Sequence, residues 1–587
     1  VSKIVTKLPF LSIGSLALVA CAACAEGPPP AVCPTLPPPI AATAKAPPAR
    51  PEPHVRVRLE PRVDPAKVVH VDIELVIDSP PGLFRLDRGN AEGITSLTLT
   101  DDAGAIPMTV AIDGDGIAAT PARSPNGITH LSYDVAANTE SRHKALSVRV
   151  LDDRFVGSGE GLVMLPEGIL DRSLPIELGI DGAKLKAPNA ASTWGLGAVH
   201  RTVARPRALQ HLAFLAGSLG AAEFDTSEGH DEDAWLGYTA FDARPVAAEI
   251  AGTRTAITEL FHAEPIPNTV MFVSQTQAVG SYTTTPRVGG VLVSLGPGEP
   301  WSAALRVSVG QQLIRPWLGG ELWVGPQEPG HLAESYWFTE GVARLTVTRL
   351  LARTGLLRPE DVRDVLTGAT SAVLASPYRG VGNVALAAKA GTDPIARAHL
   401  VARGTLYAAR INALVREKSK EGSSIDTLLA ELLEQARREK KALPASAWVD
   451  AVVRTLGPQE REMFVRTIEK GEEVVLPRSV LGKCFRAGVG DYVAWDLGFD
   501  GLATREGKTG EVVGLVAGGP AARAGLRPGD IVDAEYREGH SEVPVKLTIT
   551  RGKEVLKLSY LPAGAHQKGP IWTRVAGIPD EKCTDAY

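Results

Sequence analysis

Cysteine is scarce in this chain, five in 587 residues, and Phe, Trp and Tyr together make up only 5%. Cys33, Cys484 and Cys583 form no C-x-x-C pair, which excludes a zinc ribbon or a dithiol redox motif among them. Neither sign of charge dominates: 62 Lys and Arg stand against 67 Asp and Glu, a net charge of −5. Such a balance carries no electrostatic footprint for nucleic acid. After residue 25 no stretch approaches the roughly 18 consecutive apolar residues of a membrane helix. None of the twelve histidines stands four residues from another, so no two can share a helix face as zinc ligands.

What is present begins with a targeting segment. Lys3 and Lys7 precede the short apolar run LPFLSIGSLALVA at Leu8–Ala20, which reads as a secretory signal over residues 1–20. The run closes on Leu18-Val19-Ala20-Cys21, similar to a bacterial lipobox, which would make Cys21 a lipidated first residue; an ordinary signal peptide cut nearby is the alternative. The adjoining Cys24 belongs to the same processing site. Residues 21–54 follow as a Pro- and Ala-rich tether with almost no large apolar side chain, extended rather than folded. Together these predict an exported protein held in the cell envelope, periplasm or surface, by a lipid anchor.

The folded part is long enough for several domains. Segments such as VRVRLEP, VVHVDIELVI and LPIELGI alternate apolar and polar residues between turn sequences, predicting a β-sandwich-like N-terminal domain over 55–235. Ser158 in VGSGEG lacks the G-x-S-x-G frame and reads as a turn. Residues 206–223 have a helical rhythm. SEGHDEDAW gathers His230, Asp231, Glu232 and Asp233, but consecutive residues cannot all face one ion, so a solvated loop is expected. Gly341–Leu357 is strongly helical, and IDTLLAELLEQARREKK at Ile425–Lys441 spaces its leucines for one helix face behind a Ser423-Ser424 cap.

The string GGPAARAGLRPGDIV at Gly518–Val532 resembles the PDZ domain; the likeness covers about residues 488–562 and places a module at 485–566 with a tail at 567–587. Leu497-Gly498-Phe499 falls where that family has its φ-G-φ loop. The resemblance implies that this loop receives a C-terminal carboxylate and that an adjoining strand takes the peptide as an added strand. Partners would then be peptides or protein C-termini; action within its own chain is the other possibility. Cys484 and Cys583 flank the module, and a disulfide between them is the preferred pairing over two free thiols.

Trp337-Phe338-Thr339-Glu340-Gly341, with the following helix, RTGLLRPEDV and TELFHAEPIPNTVMFV, resembles the glycyl-aminopeptidase-type gluzincin metallopeptidases. The order of β domain, peptidase-like domain at 236–480 and PDZ domain is also that family's order. The resemblance implies a multidomain α+β fold, thermolysin-like in the middle, and a zinc bound by H-E-x-x-H plus a later Glu. Glu340 matches the later Glu. In the near half, VGQQLIRPWLGG at Val309–Gly320, Trp317 sets the register and puts Gln311, Gln312 and Arg315 where His, Glu and His would be.

Each replacement removes chemistry. A Gln311 amide is a poor zinc ligand, Gln312 has no basic site to activate water, and Arg315 brings a fixed positive charge to the place of a dication. Pro316 is also incompatible with a helix interior. The family's tyrosine before its late helix is absent from Leu400–Gly404. His331 and Glu334 lie upstream, and Glu334 is the alternative to Glu340 as the relic ligand. An Arg315–Glu340 ion pair is expected to replace the metal. The sequence therefore predicts a metallopeptidase-like, non-catalytic lipoprotein that needs no cofactor and binds peptides. An active zinc aminopeptidase with an unrecognised site, and a structural envelope protein, remain open as alternatives.

Overall fold

The computed structural model describes residues 52–583, apart from 78–81, 88–92, 115, 138–147, 186–188, 227–228, 238–239, 263–265, 267, 275–280, 508 and 537–539. Cys21, the signal segment and nearly all of the tether lie outside the described residues.

The strand HVRVRLEPR (His54–Arg62) buries Val55, Val57 and Leu59 completely and turns Arg56 and Arg58 to solvent. This is the two-residue side-chain period of a half-buried strand. It pairs antiparallel with Val68–Val76, Val57 opposite Ile73, and parallel with Leu174–Ile180 on its other side, Val57 opposite Leu178. Those three sit inside a seven-stranded sheet. Its inner face shares one core with a four-stranded and a five-stranded sheet, reaching from Val55 to Ala216. At its centre the fully buried Tyr133 hydroxyl donates to Leu162 O at 2.6 Å and accepts from Met164 N at 2.8 Å. Ser158 ends the strand Arg154–Ser158 and leads into the short helix Gly159–Leu162, rather than lying in a free turn.

Residues 206–223 are mostly strand: after the short helix Arg207–Gln210 come Ala213–Gly217 and β1 (Gly220–Thr226). Within SEGHDEDAW, the stretch Gly229–Trp235 is not a loop but part of β2 (Gly229–Leu236), which pairs antiparallel with β1 and parallel with β3 (Asn268–Ser274). With β4 (Tyr282–Arg287) and β5 (Gly290–Leu295) they form a mixed sheet of order β1-β2-β3-β5-β4, so β4 is an edge. Because β1 and β2 pair here, this sheet begins near residue 220 and not after 235.

The acidic run can be a strand because its inward residues find partners. Asp231 pairs with Arg254 of helix α1 (Ala243–Phe261), and Asp233 Oδ1 accepts from Val270 N at 3.1 Å. His230 and Glu232 point the other way, His230 to Asp225 at 2.8 Å.

The helical half contains α2 (Ala303–Leu313), α3 (Ala343–Arg353), α4 (Pro359–Leu374), α5 (Pro394–Ser419), α6 (Ile425–Glu439) and α7 (Ala445–Leu456). Ser424 caps α6 by accepting from Asp426 N at 3.2 Å, and Ile425, Leu428, Leu429, Leu432 and Leu433 are all buried. Trp337, Phe338, Tyr407, Trp448 and Phe464 interlock, mostly edge to face, with ring centroids 5.3–6.5 Å apart.

At the C-terminal end, β6 (Phe485–Trp495), β7 (Ile531–Glu535), β8 (Val545–Arg551), β9 (Glu554–Tyr560) and β10 (Ala563–Arg574) form two sheets, β6-β10 and β7-β8-β9. β10 crosses the expected boundary at 566, so the supposed tail starts as half of a ladder. Cys484 and Cys583 are joined as a disulfide at the base of that ladder, both fully buried.

Candidate functional site

Two close backbone approaches fix the geometry around Glu340. Trp337–Val342 is a π-helical turn leading into α3, a wide turn often found at functional sites. Gly341 on that turn faces Gly404 of α5; a Cβ on Gly341 would lie 2.7 Å from Gly404 Cα, and one on Gly404 2.0 Å from Trp337 O. Only paired glycines allow this contact, which explains the small residues at both positions. On the other side, Gly310 of α2 packs on Val347 of α3.

These contacts converge on one carboxylate. Glu340 is buried, and Oε1 accepts a hydrogen bond from Arg397 Nη2 at 2.7 Å. Arg315 Nη1 stands 4.0 Å from the same oxygen. Gln311 Nε2 donates to the Glu340 backbone carbonyl at 3.2 Å. Gln312 turns away, its Nε2 3.5 Å from Thr284 Oγ1 on the edge strand β4. The Arg397 guanidinium also lies over the Tyr336 ring at 4.9 Å. Burial pulls the pKa of Arg397 down, but the charge and hydrogen bond of Glu340 outweigh it and leave it raised.

The structure thus brings Gln311, Arg315 and Glu340 together, with Gln312 beside them. The expected Arg315–Glu340 pair is the looser of two contacts, and the hydrogen bond belongs to Arg397. Sequence reasoning missed Arg397, yet a signal existed: it lies seven residues before Gly404, two turns along the same helix face. Pro316 is also placed differently from the expectation. α2 ends at Leu313, so Pro316 lies past the helix rather than within it, and Arg315 hangs from the exit turn.

Other candidates do not join the cluster. His331 Nδ1 pairs with Glu334 at 2.7 Å, which raises the pKa of that histidine. Leu400 and Val401 occupy a buried stretch of α5. Arg403 is buried and donates to Val381 O and His399 Nε2; burial lowers Arg403 to about 10, and burial with the Arg403 charge lowers His399 to about 3. Among the described residues, no group of three or more His, Cys, Asp or Glu is placed to hold a metal ion. The set at Glu340, two guanidiniums at one carboxylate with the Gln311 amide on its backbone carbonyl, does not fit a zinc ion.

The C-terminal loop is held in place by its own neighbours. Leu497 and Phe499 are buried, and Gly498 has φ +81°, with its N–H donating to Asp496 Oδ1 at 2.9 Å. The carbonyls are engaged too: Leu497 O accepts from Tyr560 Oη at 2.7 Å and Gly498 O from Val516 N at 2.8 Å. After Phe499 the chain enters the helix Gly501–Glu506, capped by Asp500.

Over 91% of its length and 99% of the other chain, this chain superposes on an aminopeptidase N family protein from Idiomarina loihiensis with TM-score 0.65 and 15% identity. It shares that protein's fold. An M1 zinc metallopeptidase from Deinococcus radiodurans aligns over 72% of this chain and 94% of its own, with TM-score 0.45 and 14% identity. No protein-family model matches the sequence, and no curated protein matches it. The likeness is therefore one of architecture: a mixed α+β, multidomain, metallopeptidase-like fold.

Proposed function

We propose that this chain is a metallopeptidase-like protein without zinc chemistry, its former metal position closed by a carboxylate and two arginines. The observation that carries this reading is the Arg397–Glu340 hydrogen bond at 2.7 Å with Arg315 at 4.0 Å. A carboxylate already serving two fixed cations cannot also serve a dication, and Gln312 offers no base for water. The role left is binding or scaffolding. The decisive experiment is metal analysis of the purified full chain grown with added zinc, alongside peptide hydrolysis. Substoichiometric zinc and no hydrolysis are expected; stoichiometric zinc, removed by chelator together with activity, overturns the reading.

The C-terminal module is proposed to serve its own chain rather than outside peptides, as a structural element. Supporting this, Trp495 N donates to Ala375 O at 3.1 Å and Arg379 pairs with Glu473 at 3.0 Å while its Nη1 donates to Gln567, tying β6 and β10 to the helical half. Titration of the full chain with C-terminal peptides tests it: saturable binding would instead favour peptide partners. Export with a lipid anchor at Cys21 is also proposed, and is tested by whether Cys21→Ala releases the protein from the membrane fraction.

A further inference from the structure

A cavity of about 240 Å³ is lined by Gln312 and Arg315, the same residues that stand beside Glu340. The end of α2, the β4–β5 turn, the start of β3 and α1 form its walls. Three arginines line it: Arg254, Arg287 and Arg315. The first two have acids behind them, Arg254 paired with Asp231 and Arg287 with Glu160 at 3.0 Å. Arg315 differs. Among the described residues, the carboxylate paired with it is Glu340, which already accepts from Arg397, so one positive charge is in excess among these groups, carried by a guanidinium whose side chain is 38% exposed. Arg344, one turn after Glu340, adds a buried Nε without a partner.

The wall also holds polar atoms that the fold leaves unused. Trp317 is 1% exposed, and its Nε1 has no hydrogen-bond partner; Asn268 Nδ2 and Gln312 Oε1 have none either. Buried polar atoms without partners, here two donors and one acceptor, cost roughly 1–3 kcal/mol each, and such groups in a native protein call for an explanation. Apolar surface from Leu313, Pro286 and the Trp317 ring completes the lining.

We propose that this cavity binds a small organic carboxylate, its charge held by Arg315 and its aliphatic part against Leu313 and Trp317. The unpartnered Asn268 Nδ2 is the amide donor for a carboxylate oxygen, whereas the free Gln312 atom, Oε1, is an acceptor and makes no bond to it. A cation is excluded by the surplus of arginine, and the cavity admits a molecule the size of a short-chain acid. The inference goes beyond the loss of zinc chemistry and does not rest on it.

The test is calorimetric titration of the full chain with isobutyrate, inorganic phosphate and isobutylamine, with zinc content measured on the same sample. Saturable binding of isobutyrate is expected, none of isobutylamine, and at least a roughly tenfold loss of affinity in Arg315→Gln. Asn268→Leu provides a second variant, expected to weaken binding several-fold. No saturation with isobutyrate, preference for phosphate, or undiminished affinity in Arg315→Gln overturns the proposal. A bound zinc at Glu340 would overturn the preceding reading but leave this one standing.

Discussion

Removing Arg397 and Arg315 singly and together tests whether Glu340 depends on them as a pair. Two unit charges about 4 Å apart attract by about 4 kcal/mol at an effective dielectric of about 20, before the cost of leaving water. Arg397 is half-exposed and donates at 2.7 Å, so Arg397→Ala should cost about 2 kcal/mol, since Arg315 can then close from 4.0 Å. Arg315→Ala alone should cost about 0.5 kcal/mol, because the hydrogen bond survives. The double variant strands a buried carboxylate, and about 4 kcal/mol is expected, leaving a coupling of about 1.5 kcal/mol. Adding Glu340→Gln to the double variant should restore about 2 kcal/mol by removing the stranded charge. Equilibrium urea unfolding followed by far-ultraviolet circular dichroism measures all four. Additivity within about 0.5 kcal/mol, or no rescue by Glu340→Gln, refutes the reasoning.

Three further outcomes follow from particular residues. Gly404→Ala drives a methyl to 2.0 Å from the Trp337 carbonyl, backbone that cannot give way, and should cost about 3 kcal/mol or more; near-ultraviolet dichroism of the aromatic cluster and the melting temperature report it. The Cys484–Cys583 disulfide closes a loop of 99 residues, so Cys484→Ser with Cys583→Ser should lose about 2–4 kcal/mol, with no further effect of reductant on the melt. Asp233 is buried, and burial raises its pKa from 3.8 to about 8. The unfolded chain then loses its proton first, so between those two pKa values Asp233 makes stability fall by about 1.4 kcal/mol per pH unit. Asp233→Asn should remove that slope; an unchanged stability difference between variant and parent across the window would exclude it.

Much of the local structure was readable because local rules set it. The alternation at His54–Arg62, the Ser424 cap and the leucine face of α6 each follow from residues within a few positions of one another. SEGHDEDAW failed as a loop for the opposite reason. Its acids can be buried because Arg254, on a helix later in the chain, neutralises Asp231, and because Val270 N–H meets Asp233. Leu497-Gly498-Phe499 was placed by motif, but its hydrogen bonds come from Asp496, Tyr560 and Val516, which no motif names.

At the centre of the molecule the division is sharpest. The sequence alone determined that Gln311, Gln312 and Arg315 carry no H-E-x-x-H chemistry, since ligand and base capacity are properties of side-chain type. It also determined that Glu340, in its W-F-x-E-G setting, would need a counter-charge. Which cation answers that need was decided by tertiary structure. Arg397 reaches Glu340 because Gly341 and Gly404 let two helical segments touch, 57 residues apart in the chain. A buried charge demands a partner wherever it lies, and only packing says which one is within reach.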